Sequence, residues 1–226
     1  MYTESRIRHA ADIPALMLRY LQRTLPEASE LPLRQRIVYD GSIRRPGSSA
    51  WKHFSTTETS HIADVAYSRT TRLHRMPLVT VWETERFDGF TAYTRSRLWN
   101  HVPLAQAVTP ADTHPDFVAH YLGLLPWTPY AALANPRLRW RECDDHSVEV
   151  TVDTGYDEVT ALADFRPDGM IGTIELRSRS AAGLGRITFS RYAQIGGVFL
   201  PVRAHAYRDL LQPHWQATIR HISFGC

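Results

Sequence analysis

Cysteine is scarce: 226 residues hold two, Cys143 and Cys226, whose separation fits neither a metal-binding pair nor the framework of a disulfide-stapled secreted domain. Both are expected as free thiols in a reducing compartment. Lysine is scarcer still, Lys52 being the single one among 26 basic residues, a skew that arginine-rich codon usage in a GC-rich genome accounts for. The arginines are scattered among acids, with Arg44-Arg45 an isolated pair, so the net charge of +3 is not gathered into the run or face that nucleic acid requires. No nucleic-acid partner is expected. Long apolar runs are missing as well. The chain opens Met1-Tyr2-Thr3-Glu4-Ser5-Arg6 and passes into a charged amphipathic segment without a signal-peptide or membrane-spanning stretch. A cytoplasmic place without stable membrane insertion is expected.

The familiar chemical signatures are absent too. There is no phosphate loop, no dinucleotide-binding glycine fingerprint, no His-Glu-x-x-His, no Cys-x-x-Cys and no Gly-x-Ser-x-Gly. Gly183-Leu184-Gly185 falls in a hairpin and opens no helix. Of the eleven histidines, His53 and His61 alone lie close together in a strand, and that spacing makes no ligand set. Neither metal nor cofactor is expected.

What is present is apolar and aromatic: 43% of residues are hydrophobic and 11% aromatic, with six Trp and ten Tyr. That is enough to bury one large core, and the length asks for one domain over 1–226. Asp12-Ile13-Pro14 reads as a helix start, and Ile13, Leu16, Met17, Tyr20 and Leu21 recur at helical spacing, which predicts a helix over 12–25. A first β region follows over 33–99, with strands near 33–43, 51–69, 75–87 and 90–99 and a hairpin at Phe87-Asp88-Gly89-Phe90. A helical insert over 114–134 carries the stripe Phe117, Val118, Tyr121, Leu122, Leu125 and Trp127, and Pro126 and Pro129 are expected to split it. A second meander over 137–224 places seven strands near 137–143, 147–153, 158–166, 170–180, 186–194, 197–209 and 214–224.

Register follows from requiring apolar residues to share a face. Pairing Phe165 with Met170 puts Val159, Ala161, Ala163 and Phe165 beside Gly172, Ile174 and Leu176. Pairing Phe189 with Val202, and Val202 with His221, groups Ile187, Phe189, Val198, Leu200, Val202, Ala204, Ala206, Trp215, Ala217 and Ile219. The short connections imply antiparallel neighbours. The expected fold is therefore α+β and mostly β: one strongly curved antiparallel sheet of about eleven strands, between half-barrel and barrel, because so long a sheet cannot stay flat. The two helical segments are expected on its concave side, around an apolar pocket.

Tyr121-Leu122-Gly-Leu-Leu-Pro126-Trp127-Thr-Pro-Tyr-Ala-Ala-Leu133, then Leu138-Arg-Trp140 and Phe165-Arg-Pro-Asp168-Gly169, resemble a bacterial family of unknown function. Arg34-Gln35, Trp51 with Phe54, Phe189-Ser-Arg-Tyr192 and Gly196-Gly197-Val-Phe-Leu200-Pro201 match in the same order. That family is similar in architecture to lipoprotein carriers of the LolA and LppX kind. The resemblance implies a half-barrel cupping a hydrophobic ligand against helices, and it brings no catalytic residues.

Three polar residues fall on apolar faces in these registers: Glu83 beside Val79, Val81 and Phe87 and opposite Thr94; Arg191 beside Phe189 and opposite Leu200; and His221 opposite Val202. A carboxylate, a guanidinium and an imidazole aimed into an apolar cup have the means to move a proton or polarise a carbonyl, so they are the candidate catalytic groups. Tyr121, Trp127, Trp140, Phe189, Tyr192 and Trp215 are the candidate ligand-lining aromatics, with core packing as their competing role. Trp82 and Arg95 are expected to meet as a cation–π pair on the outer surface. The functional expectation is a hydrophobic small-molecule partner, handled by a cofactor-free cyclase or isomerase or by a non-catalytic cytosolic carrier of lipid or a similar hydrophobe.

Overall fold

Prolines set where the helices begin and end. The computed structural model describes residues 13–26, 31–44, 48–76, 79–109, 115–153, 158–178, 185–208 and 213–225. Helix α1 (Ala15–Thr24) starts after Pro14, whose fixed φ suits a helix entrance, and stops where Leu25 turns extended ahead of Pro26. Its buried residues are Leu16, Met17, Tyr20, Leu21 and Thr24, one stripe at helical spacing. The expected cap Asp12 lies outside the described residues, as does Cys226. Pro126 and Pro129 divide the insert as anticipated, into α2 (Pro115–Gly123), a 3₁₀ turn (Leu125–Trp127) and α3 (Pro129–Ala134).

Among the described residues the sheet has thirteen antiparallel strands. The first six are β1 (Arg34–Ile43), β2 (Lys52–His61), β3 (Tyr67–Met76), β4 (Val79–Phe87), β5 (Ala92–Leu98) and β6 (Val102–Thr109). The rest are β7 (Arg139–Asp144), β8 (Ser147–Asp153), β9 (Glu158–Phe165), β10 (Ile171–Ser178), β11 (Gly185–Ile195), β12 (Val198–Tyr207) and β13 (Pro213–Gly225). Their lateral order is β6-β5-β4-β3-β2-β1-β13-β12-β11-β10-β9-β8-β7. Two meanders are thus joined along one seam, β1 against β13, running from Arg34 opposite Gly225 to Ile43 opposite Trp215.

Thirteen strands replace the eleven expected, and both additions lie in the first half. The stretch expected as one strand over 51–69 bends at Ile62-Ala63-Asp64-Val65. Asp64 accepts the Val65 amide at 2.7 Å there, and the His61 amide donates to the Ala66 carbonyl at 2.9 Å. The other addition, β6, follows a turn at Trp99 and Asn100, both at positive φ (50° and 66°), with no glycine or proline to announce it.

In the second half the registers slide by one or two residues. Phe165 pairs with Ile171, Ala163 with Ile174, Phe189 with Ala204 and Ala204 with Ala217. Where the slip is two it preserves faces, because side chains alternate with period two. Ile187, Phe189, Val198, Leu200, Ala204, Ala217 and Ile219 are accordingly all buried.

The sheet is open, ending at β6 and β7, and is not closed into a barrel. It nevertheless bends. On one side of α2, Phe117 stacks on Phe87 of β4 at 5.8 Å. On the other, α2 touches β9 and β10, and a Cβ at Gly123 would lie 2.7 Å from Ile187 Cδ1. Strands β4 and β9 are eight positions apart in the lateral order, about 38 Å in a flat sheet at about 4.8 Å per strand. A helix only about 10–12 Å across reaches both only if the sheet curls around it.

Under the helices the interior is filled rather than hollow. Tyr20, Leu122, Trp127 and Leu200 are each fully buried at 0% exposure. The Trp127 indole donates to the Pro201 carbonyl at 2.8 Å, and the Tyr20 hydroxyl donates to the Pro126 carbonyl at 3.3 Å. No helix among the described residues is long and apolar enough to cross a membrane.

Candidate functional site

Alternation along β2 puts Phe54, Thr56, Glu58 and Ser60 on the buried face, an unusually polar row for a core. Opposite residues continue it: Tyr39 on β1, Tyr67 and Arg69 on β3, and Glu85 on β4. Helix α2 lays His120 across this row. Its Nε2 lies 2.9 Å from Glu58 Oε2, which also accepts the Tyr39 hydroxyl at 3.2 Å. Arg69 Nη1 lies 3.1 Å from His120 Nδ1, while Arg69 Nη2 donates to Glu85 at 2.8 Å and the Tyr67 hydroxyl donates to the other Glu85 oxygen at 2.6 Å. Two carboxylates, a guanidinium and an imidazole thereby form one wired cluster, with the Tyr67 and His120 rings 4.9 Å apart.

Burial alone pushes the Glu58 carboxyl up, but His120, Arg69 and the Tyr39 hydroxyl outweigh it and hold the group below its ordinary 4.5. Burial, with the neighbouring carboxylates adding to it, raises the Tyr39 and Tyr67 hydroxyls well above 10.0, so both remain donors. Arg69 stays charged: burial works against it, and Glu85 more than compensates.

Beside this cluster lies an open groove of about 600 Å³ between α2 and the strands that curl past it. Leu124, Leu176, Ile187, Ala206 and Trp215 make its apolar floor. Arg69, His120, Asp116, Arg186, Tyr207, Arg208 and His214 stand on its walls and rim. This is a correction to the enclosed apolar pocket expected from sequence: the concave side is largely occupied by aromatic packing, and the space left is a mixed groove at its margin.

The three candidate catalytic residues are not brought together. Glu83 stays on the inner face, two residues from Glu85, opposite Thr71 and Ser96 rather than Thr94. His221 is exposed and pairs with Val38 of β1, because β13 is slid relative to β12 and its end belongs to the seam. Arg191 is exposed too, and its φ of 55° takes it out of the strand's alternation. A non-glycine residue in that region costs about 1–3 kcal/mol. Since glycine's own entropy offsets part of the relief, Arg191→Gly is expected to stabilise the protein by about 0.5 kcal/mol, read as a raised urea midpoint. A lowered midpoint would show that the guanidinium makes a contact the fold needs.

Of the six aromatics, Trp215 alone lines the groove, stacked on Phe54 at 6.1 Å. Trp127, Tyr121 and Phe189 are core, with the Tyr121 hydroxyl accepting from Asn135 at 2.8 Å. Tyr192 is half-buried and donates to the Ile171 carbonyl at 2.8 Å. Trp140 is half-buried on β7. Trp82 finds a different cation from the one expected: Arg72 lies 5.8 Å over its ring, and Arg97 is its partner on β5.

Sequence reasoning missed Glu58, Arg69, Glu85 and His120. Two signals were available: Glu58 alternates with Phe54, and His120 sits at helical spacing between Phe117 and Leu124 on an apolar stripe. Among the described residues no group of three or more His, Cys, Asp or Glu side chains is placed to hold a metal ion.

Residues 3–218 match the model of a family of unknown function (DUF6544). No curated protein matches the chain in sequence. Among solved structures, a DUF1329 family protein from Desulfovibrio piger is similar at a TM-score of 0.54 and 12% identity, over 97% of this chain and 93% of that one. A putative outer membrane lipoprotein-sorting protein domain from Vibrio parahaemolyticus is similar at 0.52 and 10%, over 92% and 90%. A LolA superfamily protein from Nitrosomonas europaea has a TM-score of 0.48 at 10% identity, over 94% and 93%. At such identities the property shared with the first two is the fold.

Proposed function

We propose, from the premise that this chain belongs to the family of unknown function DUF6544, that it holds a hydrophobic small molecule in the groove beside α2 and acts as a carrier. The observation that carries the reading is the groove itself: an apolar floor of Leu124, Leu176, Ile187, Ala206 and Trp215 open to the surface beside a packed core. Its volume of about 600 Å³ is in the range that small-molecule sites occupy. The fold shared with a protein named for lipoprotein sorting supports it by analogy.

Cyclase or isomerase chemistry asks for a proton donor or acceptor free to meet the substrate. His120, an imidazole on the groove wall, has protein partners at both ring nitrogens, Glu58 at 2.9 Å and Arg69 at 3.1 Å. Glu85 is likewise engaged at both oxygens. The cluster therefore serves to clamp α2 to β2, β3 and β4 and keep the groove wall rigid, which favours holding over converting.

The test is a neutral fluorescent hydrophobe, N-phenyl-1-naphthylamine. Its emission is expected to rise and shift to the blue with the wild-type chain, and Ala206→Trp, which fills the floor, is expected to weaken binding at least about tenfold, the loss of roughly 1.4 kcal/mol. No binding, or binding that Ala206→Trp leaves unchanged in a folded protein, would overturn the reading.

A further inference from the structure

The groove's cations are of two kinds. Arg69 is neutralised by Glu85 and His120 is hydrogen-bonded to Glu58, so neither has charge to offer a ligand. Arg186 and Arg208 line the same groove, and among the described residues neither has a carboxylate within ion-pair distance. Among the described residues Arg186 Nε is moreover buried without a hydrogen-bond partner, so the side chain is held in place by its stacking rather than by a protein acceptor at that atom.

The position of Arg186 is built rather than incidental. Gly185, at φ 122°, lets β11 pass so close to β12 that a Cβ there would lie 2.7 Å from the Tyr207 carbonyl. Arg186, directly opposite Tyr207, is thereby laid over that ring at 5.3 Å. A stacked guanidinium keeps its edge free for a planar or tetrahedral anion. Arg208 follows immediately after β12, so both cations stand at one end of the groove, above Ile187 and Ala206. The acid on the lining, Asp116, belongs to the first turn of α2, on the helix wall rather than the strand wall.

We infer that the ligand is an anionic amphiphile, a carboxylate or phosphate monoester at the end of an alkyl chain, with Arg186 and Arg208 gripping the head and the apolar floor taking the tail. This rests on the carrier reading and adds the ligand's chemical class to it. A neutral hydrophobe leaves the charges of Arg186 and Arg208 uncompensated; a carboxylate or phosphate accepts from their guanidinium groups and cancels that charge.

The experiment displaces bound N-phenyl-1-naphthylamine from the full chain with decanoic acid, decyl phosphate, decanol and inorganic phosphate. The two anionic amphiphiles are expected to displace it at concentrations at least about tenfold below decanol, the contribution of one charge-assisted hydrogen bond, and inorganic phosphate is expected not to displace it. In Arg186→Gln/Arg208→Gln the preference for the anions is expected to vanish while the dye itself still binds, and Arg208→Gln alone, at an exposed position, keeps the test open if Arg186 proves needed for folding. Decanol matching the anions in the wild-type chain overturns the head-group inference and leaves the carrier reading standing, since the dye has bound. Displacement by inorganic phosphate as effective as that by decyl phosphate overturns the need for a chain. An undiminished anion preference in the variants overturns the assignment of the two arginines. Failure of the dye to bind at all overturns the carrier reading first, and the inference with it.

Discussion

Trp127→Ala lowers the stability of this protein by about 4 kcal/mol, the expected cost of emptying a large aromatic site in a core that relaxes only in part. Trp127 is 0% exposed and packs against Tyr39 at 5.2 Å and Trp215 at 6.2 Å, so the hole opens where both meanders and the helical insert meet. Losing the indole also strands the Pro201 carbonyl, which accepts its N–H at 2.8 Å. For a chain of this length each kcal/mol is worth roughly 2–4 °C, so the melting temperature falls by roughly 10–15 °C. Trp127→Phe separates the two contributions: it fills most of the volume but gives Pro201 no donor, and it is expected to cost about 1–2 kcal/mol. Calorimetric melts of both variants check this. A loss under about 1 kcal/mol for alanine would mean that the groove and the core are one deformable space, and the carrier reading would then have to admit a ligand into the present core.

The second large effect concerns Glu58. Its side chain is 3% exposed and is the shared acceptor of Tyr39 and His120. Glu58→Ala removes the carboxylate and leaves the Tyr39 hydroxyl and the His120 Nε2 buried without their shared acceptor, a change expected to cost about 3 kcal/mol. The pH dependence follows from the direction of its shift. Because the folded protein holds the Glu58 carboxyl below 4.5, folding favours the ionised form. The stabilisation is therefore fully present above that value and is lost as pH falls through the lower, folded-state value. Urea titrations of wild type and Glu58→Gln at a series of pH values are expected to show a gap that is constant near neutrality and narrows below pH 4.5. A gap that stays constant down to the acid limit would show that the carboxylate's charge contributes nothing and its hydrogen bonds everything.

The second meander was legible almost strand for strand because its connections announce themselves. Pro167-Asp168-Gly169 and Gly196-Gly197 place positive-φ glycines where the chain reverses, and the alternation of β9 is clean. The first meander hid two strands for opposite reasons. The β2–β3 bend contains Ile62 and Val65, both buried, and so reads as a strand continuing. The β5–β6 turn has Asn100 alone as a residue suited to positive φ, beside Trp99, which is not, and β6 lacks both charge and a clear alternation.

The candidate site was less legible than the fold. Thr56, Glu58, Arg69, Thr71 and Glu85 share one face, and a polar face on a strand reads as the solvent side. What buries it is α2 lying across, a tertiary fact with no local signature beyond one histidine in an apolar stripe. Glu83 was a near miss on the right face, whereas Arg191 and His221 depended on registers that the structure shifts.

The seam between β1 and β13 carries a consequence in time. Each meander is a succession of local hairpins, able to form as the chain leaves the ribosome, but Arg34 meets Gly225 only after every other strand has been made. Until then the nascent chain carries two half-sheets with unpaired edges and uncovered apolar faces, the state most exposed to misassociation. The step that makes the two half-sheets one continuous sheet therefore waits for β13, and a chain cut short before it keeps only the helical insert, with α2 against β4 on one side and β9 and β10 on the other, as the contact between its halves.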